Sequence, residues 1–242
     1  HFSILKSYYE HLKNVRRRLS FRGVSEILEK LSHHLYDAIF KEDQSIHSDE
    51  ILKYLNEAKK IIVEKHNGLF LHLLEDFEDR VKIFGTHFAT LDIRQDSRVH
   101  QGIIDDILTK KSGLEIEKIS EEEKLNWLLN TDLVLDPNDF EGITKDTLEN
   151  MNNIKNIQKR NGERGMSRYI ISNSDHIKEV LNVFALFKLC GYQEEEINID
   201  IVPLFETMEG LDAGENVMKE LYNFPIYRRH VERRGDEQTI ML

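Results

Sequence analysis

The sequence predicts a fold that is α/β by topology and mostly helical in content, with about four parallel strands set among long helices. Three observations predict it. Up to Gly85, apolar side chains recur at helical spacing. Beyond Gly85, four short runs alternate or concentrate apolar residues as strands do. The stretches between those runs carry helix starts and stops, and strand–helix–strand alternation is the pattern of a parallel sheet or barrel. The expected division is a helical segment, 1–85, followed by an α/β segment, 86–242.

Taken in order, residues 15–19 with Arg16, Arg17 and Arg18 read as an exposed N-terminal helix whose arginines form a solvated face. Ser48 is a candidate N-cap, with Asp49 and Glu50 in the first turn and Ile51, Leu55, Ala58 and Ile62 on one face. Lys59, Lys60 and Lys65 suit the C-terminal end of that helix, and Gly68 closes it or starts the next turn. Phe70, Leu73, Leu74, Phe77, Val81 and Phe84 then keep helical spacing. Strands are expected at 89–94, 168–172, 197–205 and 238–242. Ser120 and Glu123 form a capping box. Ser174 or Asp175 opens a helix through Val180, Leu181 and Phe184 that Gly191 closes, and Asp212 opens another. The acidic stretch 114–161 exceeds a simple crossover and reads as an insertion or helical connection.

The two ends predict a piece of a longer protein. His1 is neither an initiator nor the start of a leader, and 238–242 is an apolar, β-prone run with no turn after it. Composition narrows the class. The 242 residues carry 33 Lys+Arg against 44 Asp+Glu, a net charge of −11, which argues against a nucleic-acid binder with a basic surface. No run reaches the roughly 18 apolar residues of a membrane span. The single cysteine, Cys190, cannot pair within the chain, so a reducing, cytoplasmic setting is expected.

The common local motifs of phosphate, dinucleotide, zinc and serine-hydrolase sites are missing from the sequence. His33 and His34 are adjacent, point to different sides of a helix and make a poor metal pair. Cys190 reads as core, and Gly162 and Gly165 around Glu163-Arg164 read equally as a flexible loop or as a phosphate cradle. Polar residues at strand ends stand out, because open α/β sheets and barrels hold their ligands there. Arg94 is expected to end the first strand, followed by Gln95, Asp96, Ser97 and His100; Glu206 follows the apolar third strand. An arginine fork suits a phosphate and a carboxylate suits Mg²⁺. The same pair also reads as a structural ion pair, and spacing leaves both readings open.

Three blocks carry a resemblance. Val81-Lys82-Ile83-Phe84-Gly85 through Leu91-Asp92-Ile93-Arg94-Gln95-Asp96-Ser97-Arg98-Val99-His100 resembles the FG…LDIRQ(E/D)S··H block of the phosphoenolpyruvate carboxylase family. Tyr169-Ile170-Ile171-Ser172, with Val180-Leu181 and Phe184 onward to Gly191, resembles its Y(V/I)IS…DVL·V…LLKE·G block. Val202-Pro203-Leu204-Phe205-Glu206-Thr207, then Tyr227-Arg228 and Gln238-Thr239-Ile240-Met241-Leu242, resembles its VPLFET…(W/Y)R…KQ·VMIGYSDS·KD block.

The resemblance implies part of a TIM-like (β/α) barrel, about four of its parallel strands, ending in a truncated strand. It implies a carboxy-lyase parent, a cytoplasmic homo-oligomer that carboxylates phosphoenolpyruvate with bicarbonate, using Mg²⁺ or Mn²⁺. The products are oxaloacetate and phosphate, which feed the tricarboxylic acid cycle. By matching position, Arg94 is the catalytic, substrate-binding arginine that grips the phosphate, and Glu206 is a catalytic carboxylate and metal ligand. Neither a nucleic-acid nor a membrane partner is implied. The family's second metal carboxylate in GYSD, its TAHPTE histidine and its HGRGG loop have no counterpart in these residues, so the isolated chain is expected to be inactive. Two departures stand inside the blocks: Asp96 where many members have Glu, and Asn173 where Met or Thr is common, the latter with no expected consequence. The alternative is a non-catalytic helical scaffold, or ligand-binding relative, descended from the family.

Overall fold

A computed structural model describes residues 1–41 and 43–242. The chain forms two compact units, His1–Thr90 with Ile157–Gly165, and Leu91–Asn156 with Met166–Leu242.

The first unit is built on four helices, α1 (Phe2–Arg16), α2 (Val24–Phe40), α3 (Ser48–His66) and α4 (Leu71–Phe84). Each turns one apolar stripe inward, so that Leu5, Leu12, Leu28, Leu55, Ile62 and Phe77 share a core. Ser48 is the first helical residue of α3 and His47 the cap, one position earlier than the sequence suggests. At the other end Asn67 is the cap, at φ 51°, a left-handed position that Asn tolerates better than most residues, and Gly68 starts the next turn, its carbonyl accepting the Leu71 amide at 3.1 Å. The Tyr8 hydroxyl donates to the Gly85 carbonyl at 2.6 Å and pins α1 to the end of α4; burial pushes its pKa up to about 12. Gly85 is required there. Its φ is 51°, and a Cβ would stand 2.6 Å from the His87 ring. Glu78 is buried but answered by Lys59 and Lys82, both at 2.5 Å, which hold its pKa below the usual carboxylate range.

The second unit holds a parallel sheet in the order β1 (Asp92–Asp96), β2 (Arg168–Ser172), β3 (Asp200–Pro203). Its helices are α5 (Ser97–Lys111), α6 (Glu121–Asn130), the first part of α7 (Gly142–Asn161), α8 (Ile177–Leu189), α9 (Met208–Asn223) and α10 (Pro225–Arg233). One face of the sheet, through Tyr169, Ile171 and Ile201, joins the large core. Helix α8 is buried on nearly every side, with Val180, Leu181, Val183, Phe184, Ala185, Leu186 and Phe187 all inaccessible. The opposite face carries a small cluster of Ile170, Val202 and Leu204, with Met241 packed against it.

Several expectations are corrected. The fourth strand, expected at 238–242, is a single parallel bridge between Leu204 and Met241. The reason lies in Gln238, whose amide donates to the Ile201 carbonyl at 3.0 Å, where Tyr227 also donates at 3.2 Å. Side chains take an acceptor that a further strand would use. The first strand begins at Asp92 rather than residue 89, because Phe88 is left-handed at φ 71° and Ala89 still bonds back to His87. The third begins at Asp200, because a 3-10 turn at Glu194–Glu196 extends to Asn198 through its bond to the Glu196 carbonyl. Helix α9 starts at Met208, capped by the Thr207 hydroxyl, and not at Asp212; α8 is capped at His176, not at Ser174 or Asp175. The capping box of Ser120 and Glu123 forms as expected, and 114–161 is a helical connection. Among the described residues the sheet is open and three-stranded, not a closed barrel.

Candidate active site

Arg94, expected to end its strand, stands at the centre of β1, in register with Ile170, which is itself in register with Val202. Residues in register share a face, so Arg94 lies on the side of the sheet away from the large core. It is exposed there, and its guanidinium donates to the Met241 sulfur at 3.0 Å. The shift follows from β1 running two residues further than the sequence suggests.

Glu206 follows the sheet at its carboxyl end and is exposed. Leu204 belongs to the small cluster on Arg94's face and Phe205 to the large core; β3 ends at Pro203, and Glu206 lies past it. Of the two residues singled out in the sequence, Arg94 stands within the sheet and Glu206 lies past its carboxyl end.

The rim also holds a network that the sequence did not reveal. Asp96, the last residue of β1, caps α5 by accepting the Arg98 amide at 2.8 Å. Its carboxylate also takes the Arg98 guanidinium through Nε at 2.9 Å and Nη2 at 2.6 Å. A fourth donor is Asn173 Nδ2 at 2.8 Å. These donors, Arg98 first, hold the Asp96 carboxyl at a pKa of about 2. Asn173 stands just beyond β2 at φ 54°, and its carbonyl accepts the Ser97 hydroxyl at 2.8 Å. The expectation that Asn173 has no consequence is thus corrected. Both departures from the family pattern, Asp96 and Asn173, touch each other. The available signal was the Asp96-x-Arg98 spacing at a helix start, where a capping carboxylate meets the arginine two residues on. The Arg98 charge is favoured by Asp96 and, more weakly, by the nearby Glu206 carboxylate.

Below the rim, on the core side, His100 Nε2 meets the Tyr169 hydroxyl at 2.8 Å. Burial lowers the His100 pKa to about 4 and raises that of Tyr169. Cys190 is free, and burial pushes its thiol up to about 12, which suits packing rather than nucleophilic attack.

The donor set for a divalent ion is incomplete. Among the described residues no three His, Cys, Asp or Glu side chains gather to hold a metal ion. Glu206 offers a single exposed carboxylate, so the residues present do not by themselves fit Mg²⁺ or Mn²⁺. Among the described residues no helix is long and apolar enough to cross a membrane.

Comparison with known proteins decides the family. A family model described as phosphoenolpyruvate carboxylase matches residues 3–242. The chain belongs to the phosphoenolpyruvate carboxylase family. The phosphoenolpyruvate carboxylase of Nitrosomonas eutropha is 30% identical over 187 residues, 73% of this chain and 20% of that protein. The enzyme of the same name from Gloeobacter violaceus is 29% identical over 209 residues, 79% of this chain and 22% of its own length. That of Prochlorococcus marinus strain MIT 9312 is 35% identical over 177 residues, covering 67% and 18%. The chain thus spans about a fifth of the length of the phosphoenolpyruvate carboxylases it matches.

Proposed function

We propose that this chain is the segment of a phosphoenolpyruvate carboxylase that supplies the phosphate-gripping arginine, Arg94, and one metal carboxylate, Glu206. The observation that supports the reading is that both groups are exposed, Arg94 on the sheet face away from the large core and Glu206 past the carboxyl end of β3. Glu206 lies past the carboxyl end of β3, the end at which open α/β sheets and barrels take their ligands, and Arg94 lies two residues below the same end of β1. In this reading the three strands are part of a larger (β/α) barrel, and the remaining site residues come from elsewhere in the parent. Bicarbonate attacks the phosphorus of phosphoenolpyruvate, the bond from phosphorus to the enol oxygen breaks, and carboxyphosphate and an enolate result. Carboxyphosphate releases CO₂ and phosphate, and the enolate captures CO₂ to give oxaloacetate. The Arg94 fork offers paired donors to phosphate oxygens as charge shifts among them.

A coupled assay of oxaloacetate formation tests the proposal. With phosphoenolpyruvate, bicarbonate and Mg²⁺ or Mn²⁺, the full-length parent turns over and the isolated 242-residue chain does not. A silent, folded parent supports the scaffold alternative instead. Turnover by the isolated chain would show that the catalytic set is wrongly assigned.

A further inference from the structure

The rim network has a use that capping alone does not explain. Asp96 holds Arg98 through Nε and one Nη, so the plane of the guanidinium is fixed and its other amino group is left outside the pair. The Arg98 side chain is nevertheless 80% exposed. Asp96 and Arg94 are two positions apart on one strand and share a face, about 7 Å of backbone apart. Asp96 is in turn anchored to the end of β2 by Asn173, whose left-handed backbone also receives the Ser97 hydroxyl. The outcome is a second guanidinium, exposed but pre-oriented by Asp96, just past the carboxyl end of the strand that carries Arg94. Pre-orientation lowers the entropic cost of binding, and a planar fork matches a carboxylate.

We propose that Arg98 contacts the carboxylate of a ligand whose phosphate lies at Arg94, and that Asp96 and Asn173 are positioning residues for Arg98. The ligand class is a small phosphate ester bearing a carboxylate. This rests on the reading of Arg94 given above and adds a determinant of specificity to it. Glu206 is the charge that opposes such a ligand, and Asp96, already answered by four donors, contributes little repulsion of its own.

Two probes separate the contributions: phosphoenolpyruvate, and methyl phosphate, which lacks the carboxylate. Each is titrated into the intact chain without metal, with affinity read from the arginine side-chain resonances in ¹⁵N spectra. Phosphoenolpyruvate should bind about fivefold more tightly than methyl phosphate, the upper range for an exposed charge pair. Arg98→Gln should abolish that preference while leaving methyl phosphate affinity unchanged; Arg98→Lys should restore part of it. Asp96→Asn and Asn173→Ala should reduce the preference with the circular dichroism spectrum retained. Arg94→Gln should weaken both probes equally. If Arg98→Gln keeps the full preference, or if the intact chain shows none or binds neither probe, the proposal is overturned. If Arg98→Gln acts as expected but Arg94→Gln changes neither probe, Arg98 stands and the Arg94 reading fails.

Discussion

Asn173 and Asp96 lie 77 residues apart in sequence and 2.8 Å apart in space, joining the residue after β2 to the last residue of β1. The two strand ends are held by side chains as well as by the ladder. Substitution at either residue therefore acts on both strands.

Asp96→Ala removes the α5 cap and the anchor of Arg98, and should lower stability by about 1–2 kcal/mol. Asn173→Ala in the same background should cost less than it does alone, with a coupling of about 0.5–1 kcal/mol. Urea midpoints of the two single variants and the double variant supply the cycle. Strict additivity would show that the pair does not interact in solution.

Acid should destabilise the second unit through its buried histidines. His100 and His230 are both nearly inaccessible, and burial lowers both pKa values to about 4, from 6.5. Asp96 partly opposes this at His100; at His230, Arg233 and Arg234 deepen it and Asp200 opposes it. The unfolded chain then binds more protons than the folded one between these values, so stability is full above pH 6.5 and falls as pH is lowered towards 4. Each site removes up to about 3 kcal/mol by pH 4. Asp96 adds a loss in the same direction from its ordinary 3.8 down towards 2. Denaturant unfolding at pH 7, 5.5 and 4.5 measures it, and an unchanged midpoint would mean that both rings titrate normally.

Arg94→Lys in the full-length parent keeps the charge but loses the two-pronged geometry. It should reduce kcat/KM for phosphoenolpyruvate by about 2–4 kcal/mol and affect bicarbonate saturation less. Steady-state kinetics decide it; an unaltered kcat/KM would make Arg94 a packing partner of Met241 and nothing more.

Glu206→Gln in the isolated chain should strengthen phosphoenolpyruvate binding about twofold in the absence of metal, since it removes the negative charge that acts on Arg98 besides its partner Asp96. Weaker binding on this exchange would place the ligand elsewhere.

Phe184→Ala removes a ring buried at the centre of α8, packed edge-on against His230. A loss of about 3–5 kcal/mol is expected, read as a lowered urea midpoint. A loss under 1 kcal/mol would show that α8 is not the keystone of this core.

What could be read in advance was part of what depends on neighbours in sequence, although the equally local caps at Thr207 and His176 were not foreseen. The Ser120–Glu123 box formed because both partners sit within one turn. The stripes of α3 and α4 lie where their spacing puts them, and the central strand, 168–172, needed no adjustment. Boundaries set by distant groups were not legible. The ladder stops short of 238–242 because Gln238 and Tyr227 occupy the Ile201 carbonyl, a fact of three-dimensional proximity. Likewise Arg94 could be recognised as a site residue, but its place in mid-strand depends on where β1 meets β2. Asn173 looked inert because its partner lies on another strand.

The position of β2 in the sheet has a further consequence. Among the described residues it alone has a strand on each side, while β1 is paired only on the side of β2. In hydrogen-exchange experiments the amides of Tyr169, Ile170 and Ile171 should then outlast those of Asp92, Ile93 and Arg94 by a wide margin. The strand carrying Arg94 is the compliant edge of a stiff sheet, free to yield by small amounts.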